Sequence, residues 1–139
     1  MGFNLASHTI SHAFLSEIPK EDAYDEMKES KDMIDQITGK NTDWLVLPRG
    51  RGNYEIYQMA VDMGYKYIRT TKLFDDPLNF EYPELYKRIK GGNHLSYPRD
   101  AYEGVDPFEW AKKSGVKHSW FHCFELEKFQ LWDQLEQFL

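Results

Sequence analysis

A strand–helix–strand segment between residues 44 and 70 constrains the fold of this chain more than any other feature of its sequence. The apolar run Trp44-Leu45-Val46-Leu47 is too short for a helix and predicts a buried strand. Asn53 is a favourable N-cap for a helix that ends at Gly64. Residues 65–70 are rich in aromatic and β-branched side chains and predict the next strand. Strands joined by a helix usually pair in parallel, so we expect an α/β fold.

The rest of the chain continues this alternation. Pro19 and the acids after it predict the start of a helix that Gly39 ends. Its apolar stripe is formed by Ala23, Met27, Ile34 and Ile37. We expect strands at 3–7 and 116–124, a short helix at 106–113, and a final amphipathic helix marked by Leu131, Leu135 and Phe138. Residues 71–102 are not assigned in detail, because prolines and Gly91-Gly92 interrupt any strands around 86–89 and 94–97.

Composition limits the classes of protein to which the chain can belong. Its 139 residues predict one domain over 1–139, and 17 basic against 23 acidic residues give a net charge of −6. This charge argues against a nucleic-acid partner. No run approaches the roughly 18 apolar residues of a membrane span. A single cysteine, Cys123, excludes a disulfide within the chain and a cysteine-rich zinc site, so a bound metal would need nitrogen and oxygen ligands.

The most specific local motif is Ser7-His8-Thr9-Ile10-Ser11-His12. From a helical turn or a tight loop, both imidazoles can reach one ion at about 2.1 Å, and the hydroxyl residues between them can orient the rings. The same spacing also arises by chance. Here it follows a predicted strand and precedes a capped helix, where α/β proteins place functional loops. We therefore predict that His8 and His12 bind a metal.

Four segments, in order, resemble motifs of the polysaccharide deacetylases of the NodB-homology type, carbohydrate esterase family 4. Residues 7–12 resemble the family's His-[Ser/Thr]-x-x-His metal motif. Leu47-Pro48-Arg49-Gly50 resembles its groove-lining turn, and residues 64–71 are similar to the strand that follows. Trp120-Phe121-His122-Cys123-Phe124-Glu125 is similar to its late strand, which contains a catalytic histidine.

The resemblance implies a partial β/α barrel, a seven-stranded barrel that lacks its first strand or strands. It implies a hydrolase that removes acetyl groups from N- or O-acetylated sugars of a polysaccharide. It further implies a divalent metal cofactor, Zn²⁺ or else Co²⁺, Ni²⁺ or Mn²⁺, bound by His8 and His12. By the same resemblance, we expect the backbone N–H of Arg49 to hold the oxyanion and His122 to act as the general acid. Three further residues are expected to line the substrate groove: Pro48, Gly50 and Trp120.

The chain also departs from the family pattern. The Thr-Phe-Asp-Asp motif, which supplies the base and a third metal ligand, has no counterpart upstream of His8. We therefore expect an N-terminally truncated domain that an upstream segment or a second chain completes, and the base has no assigned residue. Phe74-Asp75-Asp76 matches in letters but not in order and is interpreted as an acidic turn. Val46 replaces a family arginine, and Arg49 replaces an aromatic residue.

Three questions stay open at the level of sequence. Glu125, Asp100 and Asp106 are each candidates to orient His122. The compartment is not determined, because an export signal could precede the chain. A sugar-binding remnant without catalysis, or a structural metal or interaction module, would also explain the histidine pair.

Overall fold

The computed structural model describes residues 4–71, 89–90, 93–94, 108 and 119–139. The chain divides into two compact units, residues 1–91 and 92–139. Both combine helix with parallel strands, which confirms the α/β class. Within the described residues, no helix is long and apolar enough to cross a membrane. The predicted helix at 106–113, apart from residue 108, and the acidic turn at 74–76 lie outside the described residues.

The first unit contains a parallel sheet whose strands lie in chain order. Strand β1 (Trp44–Val46) pairs with β2 (Tyr67–Arg69), which pairs with β3 (Ile89–Lys90). The strand predicted at residues 3–7 is reduced to a bridge between Ser7 and Leu45. The Ser7 N–H donates to the Trp44 carbonyl at 2.9 Å, and its carbonyl accepts from the Val46 N–H at 2.8 Å. The residues that follow Ser7, β1 and β2 therefore emerge at one edge of the sheet.

Two helices cover this sheet, and local capping signals predicted both. Helix α1 (Lys20–Thr38) ends at Gly39, whose φ of 65° is the left-handed conformation that glycine adopts without strain. Helix α2 (Tyr54–Asp62) begins at Asn53, whose side chain accepts a hydrogen bond from the Ile56 N–H at 3.0 Å.

The packed stripe of α1 differs from the predicted one at its C-terminal end. Ala23 and Met27 are buried as expected, but Ile37 is 76% exposed. Ser30 and Lys31 are buried instead, because the Lys31 ammonium donates to Asp35 and Asn41 and so keeps its hydrogen bonds. The core of the unit also contains Leu15, Leu45, Leu47, Ile56, Tyr57, Met59, Ala60, Tyr65 and Ile68.

The second unit contains a shorter parallel pair, β4 (Asn93–His94) with β5 (Ser119–Trp120). Helices α3 (Cys123–Lys128) and α4 (Trp132–Phe138) follow. The strand predicted over 116–124 is wrong beyond Trp120, because a helix begins at Cys123. The buried hydrophobic cluster of the second unit consists of Phe108, Leu126 and Leu131. Four partly buried side chains pack against it: Phe121, Phe129, Leu135 and Phe138.

Candidate functional site

Two loops meet at the edge of the sheet where Ser7 and β1 end. The histidine loop comprises residues 8–14, and the arginine loop comprises residues 47–53. Nδ1 of His8 lies 2.8 Å from the carbonyl oxygen of Val46, the last residue of β1. This contact holds the imidazole beside the start of the arginine loop.

The two histidines predicted to bind a metal lie next to each other. Both are exposed, and their ring centroids are 4.8 Å apart at an interplanar angle of 76°. A carbonyl oxygen only accepts hydrogen bonds, so the contact with Val46 assigns the proton of a neutral His8 ring to Nδ1. The lone pair then lies on Nε2, as metal-binding histidines require. The hydroxyl groups of the motif do not orient the rings as predicted, because a backbone carbonyl does so for His8.

The histidine loop has a backbone that needs external support. Thr9 and His12 have φ values of 66° and 61°, a region that few residues other than glycine occupy. The carboxylate of Glu26, on α1, accepts hydrogen bonds from the N–H groups of Ile10 and Ser11, each at 2.8 Å, and from the Ser11 hydroxyl. These contacts fix the loop between its two left-handed residues.

Glu26 is a site residue that sequence reasoning did not identify. Partial burial by itself would raise the pKa of its carboxyl group, but the hydrogen bonds from Ser11 and Ile10 outweigh burial and hold the pKa below its usual value. A glutamate in an amphipathic helix has no local signature of this role. Its partners lie 15 and 16 residues away along the chain.

Two buried hydroxyl groups form hydrogen bonds that join the sheet to α1, the helix whose Glu26 supports the histidine loop. The Ser7 hydroxyl is fully buried and donates to the Ser30 hydroxyl at 2.9 Å. The Tyr65 hydroxyl donates to the Met27 carbonyl at 2.9 Å, and burial raises the pKa of Tyr65 to about 12. Both contacts connect the sheet to α1, which also provides Glu26.

The arginine loop turns sharply at the positions that the family resemblance assigned to the groove. Pro48 and Gly50 are buried in a 3₁₀ turn, and Gly50 has φ +67°. A Cβ on Gly50 would overlap the side chain and backbone nitrogen of Thr71, the residue that follows β2 by two positions. The arginine loop is therefore packed directly on the neighbouring strand end.

Arg49 and Arg51 extend from this turn, and both side chains are exposed. The guanidinium carbon of Arg49 lies 4.9 Å from the centroid of the Phe14 ring, and that of Arg51 lies 5.7 Å from it. Phe14 belongs to the histidine loop, so these cation–π contacts join the two loops.

In the second unit, His122 directly precedes α3 and is exposed. Its backbone N–H donates to Oε2 of the buried Glu125 at 2.8 Å, and its Nδ1 lies 3.1 Å from the same oxygen. Its ring stacks on Phe124 with centroids 5.2 Å apart. Of the three acids considered for orienting His122, Glu125 makes the contact, while Asp100 and Asp106 lie outside the described residues. The backbone of Trp120 lies in β5.

The donor set of the histidine loop fits part of a metal site. Two nitrogens bound at about 2.1 Å to a tetrahedral ion lie about 3.4 Å apart, and rings with centroids 4.8 Å apart can present them at that separation. In the part of the chain that the structure describes, no group of three or more His, Cys, Asp or Glu side chains could hold a metal. The histidine pair can thus offer two of the ligands that a metal site needs, and the remaining ligands are unassigned.

Comparison with solved structures finds three similar chains. A Streptococcus pyogenes deacetylase, PplD, in complex with acetate, is 34% identical over 48% of this chain and 30% of its own, with a TM-score of 0.47. BA3943, a carbohydrate esterase family 4 pseudoenzyme from Bacillus anthracis, is 18% identical over 87% of this chain and 45% of its own, with a TM-score of 0.49. A BA3943 mutant with restored enzymatic activity is 17% identical over 87% and 47%, with a TM-score of 0.48. The chain thus spans less than half the length of each structure.

Comparison with curated proteins finds no match. The polysaccharide deacetylase family model matches residues 1–68, which include the histidine loop, the arginine loop, β1 and the first two residues of β2. Residues 1–68, just under half of the chain, are therefore similar to part of a polysaccharide deacetylase domain.

Proposed function

We propose that the chain is part of a metal-dependent deacetylase that hydrolyses acetyl amides or esters on the sugars of a polysaccharide. The observation that supports this best is the contact between Nδ1 of His8 and the Val46 carbonyl. It orients the Nε2 lone pair of His8 for a metal, within the segment that matches the family. His12 is the second proposed ligand, and zinc is the proposed ion, with cobalt, nickel or manganese as substitutes.

The two imidazoles would hold the ion, which when bound supplies Lewis acidity and lowers the pKa of water to about 7. The chain's own groups act around the acetyl carbon. The backbone N–H of Arg49 donates to the oxygen that becomes negatively charged during hydrolysis. Pro48 and Gly50 shape the groove at this turn, and Trp120 contacts the saccharide.

His122 is the proposed general acid. An amide nitrogen leaves only after it is protonated, and an imidazolium N–H can deliver that proton. Glu125 accepts from Nδ1, so the opposite nitrogen, Nε2, faces away from the carboxylate and is the atom that donates to the leaving group. Hydrolysis also needs a base for the attacking water, and no residue is assigned to that step.

We also propose that residues 1–139 form one domain built as part of a seven-stranded β/α barrel. The parallel pairing of Ser7, β1, β2 and β3 in unbroken chain order supports a barrel. One half of a doubly wound sheet has the same strand order, so the choice of a barrel depends on the family resemblance as well.

A zinc titration followed by an activity assay tests the proposed function. We expect calorimetry to give zinc binding that His8→Ala and His12→Ala each abolish. His122→Ala is the matched control, since it removes an exposed histidine from the other unit and should leave zinc affinity unchanged while it abolishes acetate release. If His8→Ala and His12→Ala bound zinc as tightly as His122→Ala does, the metal assignment would be refuted.

A saccharide-binding domain without turnover is the second candidate. The observation that favours it is the lack, among the described residues, of a carboxylate close enough to complete a metal site with the histidines. The two candidates differ in the release of acetate from N-acetylated oligosaccharides by zinc-loaded protein. Binding of these oligosaccharides without acetate release would favour the second.

A further inference from the structure

The strongest feature that the proposed function does not use is the pair of guanidinium groups over Phe14. Arg49 and Arg51 lie 4.9 and 5.7 Å from the ring centroid, both are exposed, and within the described residues neither forms an ion pair with an acid. The chain has a net charge of −6, so this pair of cations is a local excess of positive charge on an acidic protein. Such charge favours an anionic ligand.

The position of these arginines connects them to the candidate site. Phe14 follows His12 by two residues, and the arginine loop begins directly after Val46, whose carbonyl contacts His8. A ligand group bound by Arg49 and Arg51 would therefore be attached to a saccharide whose acetyl group lies near the histidines.

The chemistry of guanidinium groups limits what that ligand group can be. A cation–π contact with one ring does not use all five N–H donors of a guanidinium, so other donors stay available. Those donors form a fork that matches the paired oxygens of a carboxylate or a phosphate. A neutral hydroxyl group offers one oxygen and no charge, so it gains much less from the same site.

We propose that Arg49, Phe14 and Arg51 form a subsite for an acidic group on the acetylated saccharide, a carboxylate or a phosphate. This proposal rests on the proposed function, because it assigns the substrate to the class of acidic saccharides. Both cations lie against the same Phe14 ring, and the acid group positions the neighbouring sugar along the groove.

Titrations of metal-free protein with three sugars, followed by NMR chemical shifts, test the subsite. N-acetylglucosamine is the neutral probe, N-acetylmuramic acid adds a carboxylate, and N-acetylglucosamine 6-phosphate adds a phosphate. We expect roughly tenfold tighter binding of at least one acidic sugar, with a preference that weakens as salt is raised. The acidic sugar with the lower Kd identifies which oxyanion the site takes.

Three charge-removing variants assign the effect to the subsite. Arg51→Gln and Arg49→Gln should each remove most of the preference for the acidic sugar. Lys40→Gln removes the same charge from the exposed loop before β1, at the opposite end of that strand, and should keep the preference. Circular dichroism melts confirm that the variants remain folded.

Several results would overturn the subsite. These are equal Kd values for acidic and neutral sugars, an unchanged preference in Arg51→Gln and Arg49→Gln, or an equal loss in Lys40→Gln. Failure of all three sugars to bind overturns it as well. The zinc titration does not depend on these sugars, so it shows separately whether the metal site of the proposed function exists.

Discussion

Replacing Gly50 by alanine should destabilise the protein through the contact between the arginine loop and the end of β2. An alanine with φ near +67° costs about 1–2 kcal/mol, partly offset by about 0.4–1 kcal/mol from the less flexible unfolded chain. The new Cβ would also lie closer than 3.0 Å to the side chain and backbone nitrogen of Thr71. Displacing that backbone adds about 1–3 kcal/mol. We expect a total loss of about 2–4 kcal/mol.

Gly39→Ala is the matched control for this prediction. Gly39 has φ +65°, but a Cβ there meets no atom within 4 Å, so only the conformational cost of about 1 kcal/mol applies. Urea unfolding measures both losses as shifts of the midpoint at constant m-value. Adding Thr71→Ala to Gly50→Ala should recover only part of the loss, because the backbone nitrogen remains. Equal losses in the two glycine variants would refute the packing argument.

Three further variants test the supports of the site. Glu26→Ala should cost about 1 kcal/mol, since water can replace part of its hydrogen bonding, whereas Glu29→Ala, an exposed neighbour on α1, should cost almost nothing. The depressed pKa of Glu26 contributes stability above pH 4.5 that is lost as pH falls further, so urea midpoints of Glu26→Ala should decline less in acid than those of wild type. Tyr65→Phe should remove a loss of stability that wild type shows as pH rises from 10 towards 12, because the raised pKa of Tyr65 favours the folded state only below that window. A wild-type alkaline slope in Tyr65→Phe would assign the effect to other groups. Asn53→Ala should lower the urea midpoint by the equivalent of about 1 kcal/mol through loss of the α2 cap, and an unchanged midpoint would show that the cap is not needed.

The elements that sequence predicted correctly are those with local signals. Asn53 and Gly64 mark the two ends of α2, and Pro19 and Gly39 mark those of α1. Each of these residues acts within one turn of its own helix, so a short window of sequence contains the cause of the structure. The apolar run of β1 is equally local.

The features that sequence did not predict depend on distant partners. The histidine loop takes its shape from Glu26 and from the Val46 carbonyl, which lies 38 residues from His8. The residues after Trp120 have strand-forming composition, but Glu125 accepts the His122 N–H and begins a helix there. Ile37 continues the apolar period of α1 beyond the part of the helix that the core covers.

The left-handed backbone of His12 sets the stability of the fold against the metal binding proposed for this residue. Glycine or asparagine would adopt φ near 61° at lower cost, so His12→Gly should raise resistance to heat while removing one of the two imidazoles. A directed-evolution library screened for thermal tolerance alone should lose this histidine, and one screened for retained metal should keep it. The residue found at position 12 in the surviving clones then shows whether the screen selected for thermal stability or for metal binding.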